Sequence, residues 1–249
     1  MKKSLLLSSL CIAAVLVSQT AQAEVKIRAG TGTSTYTLSG DYGDATSKYT
    51  PISLGVTFAF DNGMYIDLAH TSGTGEHDGW AWAGYPSEKF KRSETALTFG
   101  RSHVNENNGI AIGYYAGLKT GTTTLGAQNV PFFIASWMEE TLTTSGVVLG
   151  GGASFPIASG RGGAIGVNLG IGFMGTTWED DTGWNQTSDT AVGYSYGVSY
   201  TYPIIPNFGV TVDYKGNNYK YDFGNILGKT AFTVNETITA LGASVYVKF

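Results

Sequence analysis

His70 and Ser72 stand two residues apart and have the composition of a general base and a nucleophile. On an extended chain such positions share a face, so an imidazole beside a hydroxyl would support acyl hydrolysis if a third group oriented the histidine. Glu94 is the acid nearest in expected height, yet the outward phase of Leu97 and Phe99 turns it to the opposite face. A solvated histidine at the outer end of a strand fits the same residues.

A second set consists of Arg28, Asp67, Arg92, Glu94, Lys119, Asp213 and Lys215, joined by Lys26 and Tyr115, at positions that alternate with apolar residues. Enclosed together, charges of both signs either neutralise one another as a plug or line a narrow path for small solutes. A third set is Trp80, Trp82, Trp178 and Trp184 beside Glu76, His77, Asp78, Glu179, Asp180 and Asp181. Aromatic faces flanked by carboxylates suit a sugar or a hard cation, and a solvated acidic loop has the same composition.

Two strings imitate catalytic motifs. Gly193-Tyr194-Ser195-Tyr196-Gly197 has the pattern of a nucleophile elbow, and Gly170-Ile171-Gly172-Phe173-Met174-Gly175 that of a dinucleotide fingerprint. Each motif requires a strand that turns into a helix, whereas both strings lie inside alternating runs. They are products of alternation.

The elements that must position these residues are strands. From Ile52 to Phe60, apolar residues take every second place against Ser53, Gly55, Thr57 and Ala59. Asp61-Asn62-Gly63 then reverses the chain, as Asn and Gly favour tight hairpins. The same period recurs from Val25 towards Leu38, and through Met64 to Leu68, Thr95 to Phe99, Ile110 to Leu118 and Val147 to Ile157. It continues through Val167 to Phe173, Val192 to Tyr202, Phe208 to Tyr214 and Leu241 to Val247.

This gives ten strands, with eight or twelve as alternatives, joined by short connectors at residues 61–63, 104–109, 158–162 and 203–207. At the other end lie longer polar segments: Gly40 to Ser47, Gly73 to Lys89, Lys119 to Glu140, Glu179 to Thr190 and Gly216 to Asn235. One of these carries the apolar run Val130 to Met138, readable as an interfacial segment, a piece folded into a mouth, a partner contact or an extension of the sixth strand. Alternation with short turns at one end and long loops at the other predicts a transmembrane antiparallel up-and-down β-barrel.

The termini agree with export to a membrane. Lys2 and Lys3 precede an apolar stretch from Leu5 to Val17, and Ala21-Gln22-Ala23 offers small residues for cleavage before Glu24. Residues 1–23 read as a signal peptide and residues 24–249 as a single barrel domain. The segment carries two of the 15 basic residues, none of the 19 acidic ones and the lone Cys11, so the mature chain has net charge −6 and no cysteine. Disulfide and thiolate-metal chemistry are excluded, and nucleic acid is disfavoured because displacing counterions from phosphate needs a basic surface. The 35 glycines and 13% aromatics fit a barrel wall.

At the carboxyl end Leu241, Ala243, Val245, Val247 and Phe249 form one apolar file closed by an aromatic terminus. This ending resembles the C-terminal signature of Gram-negative outer-membrane barrels, and the resemblance implies recognition of Val245, Val247 and Phe249 by the barrel assembly machinery and periplasmic chaperones. At the level of pattern the whole mature chain resembles the OmpA-like and opacity-type small barrel group, usually of eight strands. His70-Thr71-Ser72 resembles the His-x-Ser element of outer-membrane lipid A deacylases, in which histidine is the base and serine the nucleophile.

Outward Phe58, Phe60, Phe99, Phe155, Tyr200, Tyr202, Phe208 and Phe249 are expected to form a periplasmic girdle, with Tyr36, Tyr49, Tyr194 and Trp178 opposite. Inward Gly113, Gly117, Gly150, Gly152, Gly170, Gly172, Gly193 and Gly197 leave open whether the lumen is filled. Eight strands enclose a space that side chains fill, and sixteen enclose water. The expectation is an outer-membrane protein, not an enzyme and without cofactor, with a structural, surface-interaction or porin-like narrow passive role. Its partners would be outer-membrane lipid and lipopolysaccharide, and a small solute or surface ligand. A lipid A hydrolase using His70 and Ser72, and an adhesin using the tryptophan loops, are the alternatives.

Overall fold

The computed structural model describes residues 23–40, 43–78, 88–127, 139–158, 162–180, 183, 185–224 and 231–249. The chain runs through β1 (Ala23–Gly40), β2 (Gly43–Phe60), β3 (Met64–Asp78), β4 (Glu88–Val104), β5 (Ala111–Ala127) and β6 (Glu140–Pro156). It continues through β7 (Ala164–Asp180), β8 (Asn185–Thr187), β9 (Ala191–Ile205), β10 (Phe208–Phe223) and β11 (Phe232–Lys248). All pairings are antiparallel, and every strand except β8 belongs to a closed ring. β1 meets β11 from Lys26↔Lys248 to Gly40↔Val234, and β6 meets β7 from Glu140↔Asp180 to Pro156↔Ala164. Closure removes both sheet edges, so the wall leaves no row of unpaired backbone groups for lipid to desolvate.

The first turn shows why its residues are needed. Gly63 adopts φ 80°, its amide donates to Phe60 O at 2.9 Å, and Asn62 Oδ1 accepts from the Met64 amide at 2.9 Å. The fourth short connection is tighter than the expected 203–207, because β9 continues through Pro203 to Ile205 and leaves Pro206 and Asn207 to turn.

Outward files are apolar: Ile52, Leu54, Ile112, Tyr114, Leu169, Val192 and Tyr194 are all exposed, Leu169 to 69%. A wall that shows this many aliphatic side chains outward is unstable in water and matched to acyl chains. Inward files carry Arg28, Asp67, Arg92, Glu94 and Lys119 and a cluster of Tyr36, Leu38, Tyr49, Phe90, Leu125, Leu142, Met174, Tyr219, Tyr221 and Phe223.

Two expectations are corrected here. The strands run well past the apolar belt, so part of the long segments is wall: β1 and β2 extend to Gly40 and Gly43, β5 to Ala127 and β10 to Phe223. Ladder hydrogen bonds do not need an apolar face, and Thr122–Thr124 and Thr141–Thr144 keep pairing above the belt. Within the segment 179–190 a further short strand, β8, pairs with β7 through Thr177↔Thr187 to Glu179↔Asn185.

Tyr36, Tyr49 and Trp178 also leave the expected outer girdle. Tyr36 is 1% exposed and Tyr49 8%, both inside the barrel, and Trp178 packs against the interior cluster. Parity decides this: Tyr36 lies on the face of Lys26 and Arg28, an even number of residues away. Tyr194 does face outward.

Candidate functional site

The interior is built in two storeys. In the one nearer the long connections, the rings of Tyr36 on β1 and Tyr49 on β2 lie 5.2 and 4.9 Å from that of Phe90 on β4. On the opposite wall Phe223 and Phe232 stack at 4.9 Å, with Trp178 edge-on to both at 6.0 Å. Tyr221 and Phe223 have exposures of 0% and 1%. Aromatic side chains thus pack this storey from both walls, with Tyr36, Tyr49, Phe90, Tyr221 and Phe223 buried and Trp178 and Phe232 partly buried against them.

Immediately beneath runs a chain of four charges. Glu236 on β11 takes Arg92 Nη1 at 2.8 Å, Arg92 Nη2 reaches Glu94 Oε2 at 3.1 Å, and Glu94 Oε1 takes Lys119 Nζ at 3.1 Å. Arg92 also donates to Thr123 Oγ1 and lies over the Tyr36 ring, 5.1 Å from its centroid. Tyr221 donates its hydroxyl to Glu236 Oε2 at 3.2 Å, and Lys119 sits 5.6 Å from the Tyr219 ring centroid. Two cations and two anions cancel, and each buried charge has a partner, as desolvated ions require.

Below the network lies a cavity of about 700 Å³ that reaches Phe60 and Gly63 at the short-turn end. Lys26, Arg28, Tyr65, Tyr115, Asn168 and Lys215 line it. Arg28 pairs with Asp67 at 2.6 Å, and Asp67 also accepts from Thr57 Oγ1 at 2.5 Å. Asp213 and Lys215 are 4.0 Å apart. Arg28, Asp67, Arg92, Glu94, Lys119, Asp213 and Lys215 therefore all face the interior, in three separate groups.

Several inward glycines receive a neighbour's side chain. A Cβ on Gly172 would come within 2.7 Å of the Tyr219 ring, and one on Gly170 within 2.7 Å of Ser195 Oγ and 2.9 Å of the Tyr115 hydroxyl. One on Gly197 would meet Asn168 at 2.7 Å. These positions are bare so that Tyr219, Tyr115 and Asn168 can lie flat against the wall.

Glu236, which completes the charge network, is missing from the set that the sequence singles out. Its parity is nonetheless readable, because it lies an odd number of residues from the outward file Leu241 to Val247.

His70 faces outward, and its Nδ1 meets Thr95 Oγ1 at 2.9 Å where a hydrolytic triad needs a carboxylate. Glu94 is on the inner face with Arg92 and Lys119. The two motif-like strings lie within β7 and β9. Trp178, a candidate loop ligand, is part of the plug, while Trp80, Trp82, Trp184 and the run Val130 to Met138 fall outside the described residues. Among the described residues no group of three or more His, Cys, Asp or Glu is placed to hold a metal ion. Val245, Val247 and Phe249 face outward, Phe249 at 72% exposure, and the Phe249 amide donates to Val25 O at 2.9 Å.

No protein-family model and no curated protein matches the chain. Among solved structures it is similar to the translocator domain of the autotransporter NalP from Neisseria meningitidis, with TM-score 0.50 and 8% identity over 100% of this chain and 98% of that one. It is also similar to Neisserial surface protein A, at TM-score 0.40 and 13% identity over 90% and 97% of the two chains. A major outer membrane protein from Thermus thermophilus aligns at TM-score 0.44 and 14% identity over 92% and 100%. The likeness to the translocator domain shows the fold, an antiparallel membrane-spanning barrel.

Proposed function

We propose that the mature chain, released from its signal peptide after Ala23, is a non-conducting barrel of the Gram-negative outer membrane. In this reading it has no enzymatic activity and serves envelope structure and surface contact. The observation that carries this reading is the interior seal, in which Glu236, Arg92, Glu94 and Lys119 bridge the lumen beneath a filled aromatic storey. A pore needs a continuous wet path, and among the described residues the cavity of about 700 Å³ lies on the short-turn side of the seal, while that beside Tyr49 and Arg92 measures about 60 Å³.

The extended strands are the surface element. They carry ordered, ladder-paired wall beyond the apolar belt, which gives the long connections a stiff base. The outward file ending at Phe249 is the feature that the assembly machinery and its chaperones would read. Hydrolysis finds no support at His70, since Thr95 occupies the place of the orienting acid.

Liposome swelling tests the reading. Vesicles carrying the refolded protein are expected to shrink and stay shrunken in arabinose, as protein-free vesicles do. Re-swelling proportional to protein content would overturn it.

A further inference from the structure

The apolar belt is interrupted on one side of the barrel. Across β6 and β7 the outward residues stay apolar through Val147, Leu149, Val167, Leu169, Ile171 and Phe173. On β3 the file changes after Leu68 to His70, Ser72 and Thr74, and on β4 after Leu97 to Thr95, Ser93 and Lys91.

The polar residues begin at belt height. His70 is in register with Leu54 of β2, and Ser72 with Ile52, and those two neighbours are 57% and 61% exposed in the lipid-facing band. A titratable side chain directed outward at that depth is costly in hydrocarbon and marks a functional position. His70 is held by Thr95.

Above this notch lies a cationic row. Register sets Lys48 of β2 beside Glu76 of β3 and Glu76 beside Lys89 of β4, while Lys91 pairs with Thr74. All four charged residues are exposed, three lysines with one carboxylate. The mature chain is acidic overall, with net charge −6, so the excess of lysine within this row runs against the composition.

We propose that this face docks one phosphorylated lipid of the outer leaflet, which rests on the reading of the chain as an outer-membrane barrel. Phosphate groups sit among Lys89, Lys91 and Lys48, to which an ammonium offers a compact point charge. The lipid's hydroxyl, ester or amide groups reach down to His70, Ser72, Ser93 and Thr95, and its acyl chains continue over Leu68, Leu97 and Phe99. The charge order and the polar depth thus match an amphiphile with anionic head and polar neck.

The mature barrel, refolded in dodecyl maltoside, is mixed with equimolar diphosphoryl lipid A, monophosphoryl lipid A and phosphatidylethanolamine, and read by native mass spectrometry. Wild type is expected to retain one lipid, preferring two phosphates to one and either to phosphatidylethanolamine. K89Q/K91Q should weaken retention of the diphosphoryl lipid at least about tenfold, from the loss of two near-surface cations. H70L/S72A should reduce it several-fold, and K220Q on the distant β10 should leave it unchanged.

If the double lysine variant does not fold, K91Q alone is read, with about threefold weakening expected from one cation fewer. Equal retention of all three lipids, no effect of the β4 lysines, an equal loss in K220Q, or a lipid-free dimer would each overturn the proposal. These substitutions lie outside the seal, so swelling in arabinose separates failure of the docking face from failure of the non-conducting reading.

Discussion

Arg92 on β4 and Glu236 on β11, 144 residues apart in sequence, meet inside the barrel at 2.8 Å with both side chains almost fully buried. Three strands, β3, β2 and β1, separate them along the wall, so the bond crosses the lumen.

Removing one partner strands the other charge. Arg92→Ala is expected to cost about 3–5 kcal/mol, the usual penalty for leaving a buried ion alone. Arg92→Met combined with Glu236→Leu should recover most of it. Loss of heat-modifiable gel migration on a temperature ramp measures both, and an Arg92→Ala barrel as stable as wild type would contradict the pairing.

Gly193 and Gly172 leave the space occupied by the Tyr219 ring. Gly172→Ala should destabilise by about 1–3 kcal/mol through overpacking, and Tyr219→Ala in the same chain should relieve it. A double-mutant cycle in urea reads the coupling, and strict additivity would show that the ring does not rest there.

These two relationships mark where sequence reasoning stops. Alternation places Arg28, Asp67 and Arg92 inside and Leu54 and Leu169 outside, because period two is local. The partner of Arg92 is not local, since strand stagger fixes which heights meet across the lumen. Strand ends escape for a related reason: Thr122 to Thr124 hold a ladder without an apolar file to reveal it. Tyr36 and Tyr49 go to the wrong face when an amphipathic ring's expected height is given more weight than its parity with Arg28 and Ser53.

Leu169, exposed to 69%, is central in the outward file of β7. Leu169→Lys should reduce folding stability in phosphatidylcholine vesicles by about 2–4 kcal/mol, the cost of lysine at mid-membrane. Thr177→Lys, near the end of the β6–β7 seam at the long connections, should cost less than about 1 kcal/mol. Equal effects would mean that the belt has been drawn at the wrong height.

Phe249 exposes its ring and holds β1 through its backbone. Phe249→Ala should lower the amount of barrel assembled in cells several-fold yet leave spontaneous refolding into vesicles nearly unchanged. An equal loss in both settings would make the ring a stability element instead of an assembly signal.

The seal across the lumen is tested most directly by planar-bilayer recording of the purified barrel in concentrated potassium chloride. Wild type should add no current steps to the lipid baseline, whereas an Arg92→Ala, Glu236→Ala, Phe90→Ala, Tyr221→Ala variant that still migrates as a folded barrel should show discrete openings. Steady unitary currents from the wild-type protein would contradict the account.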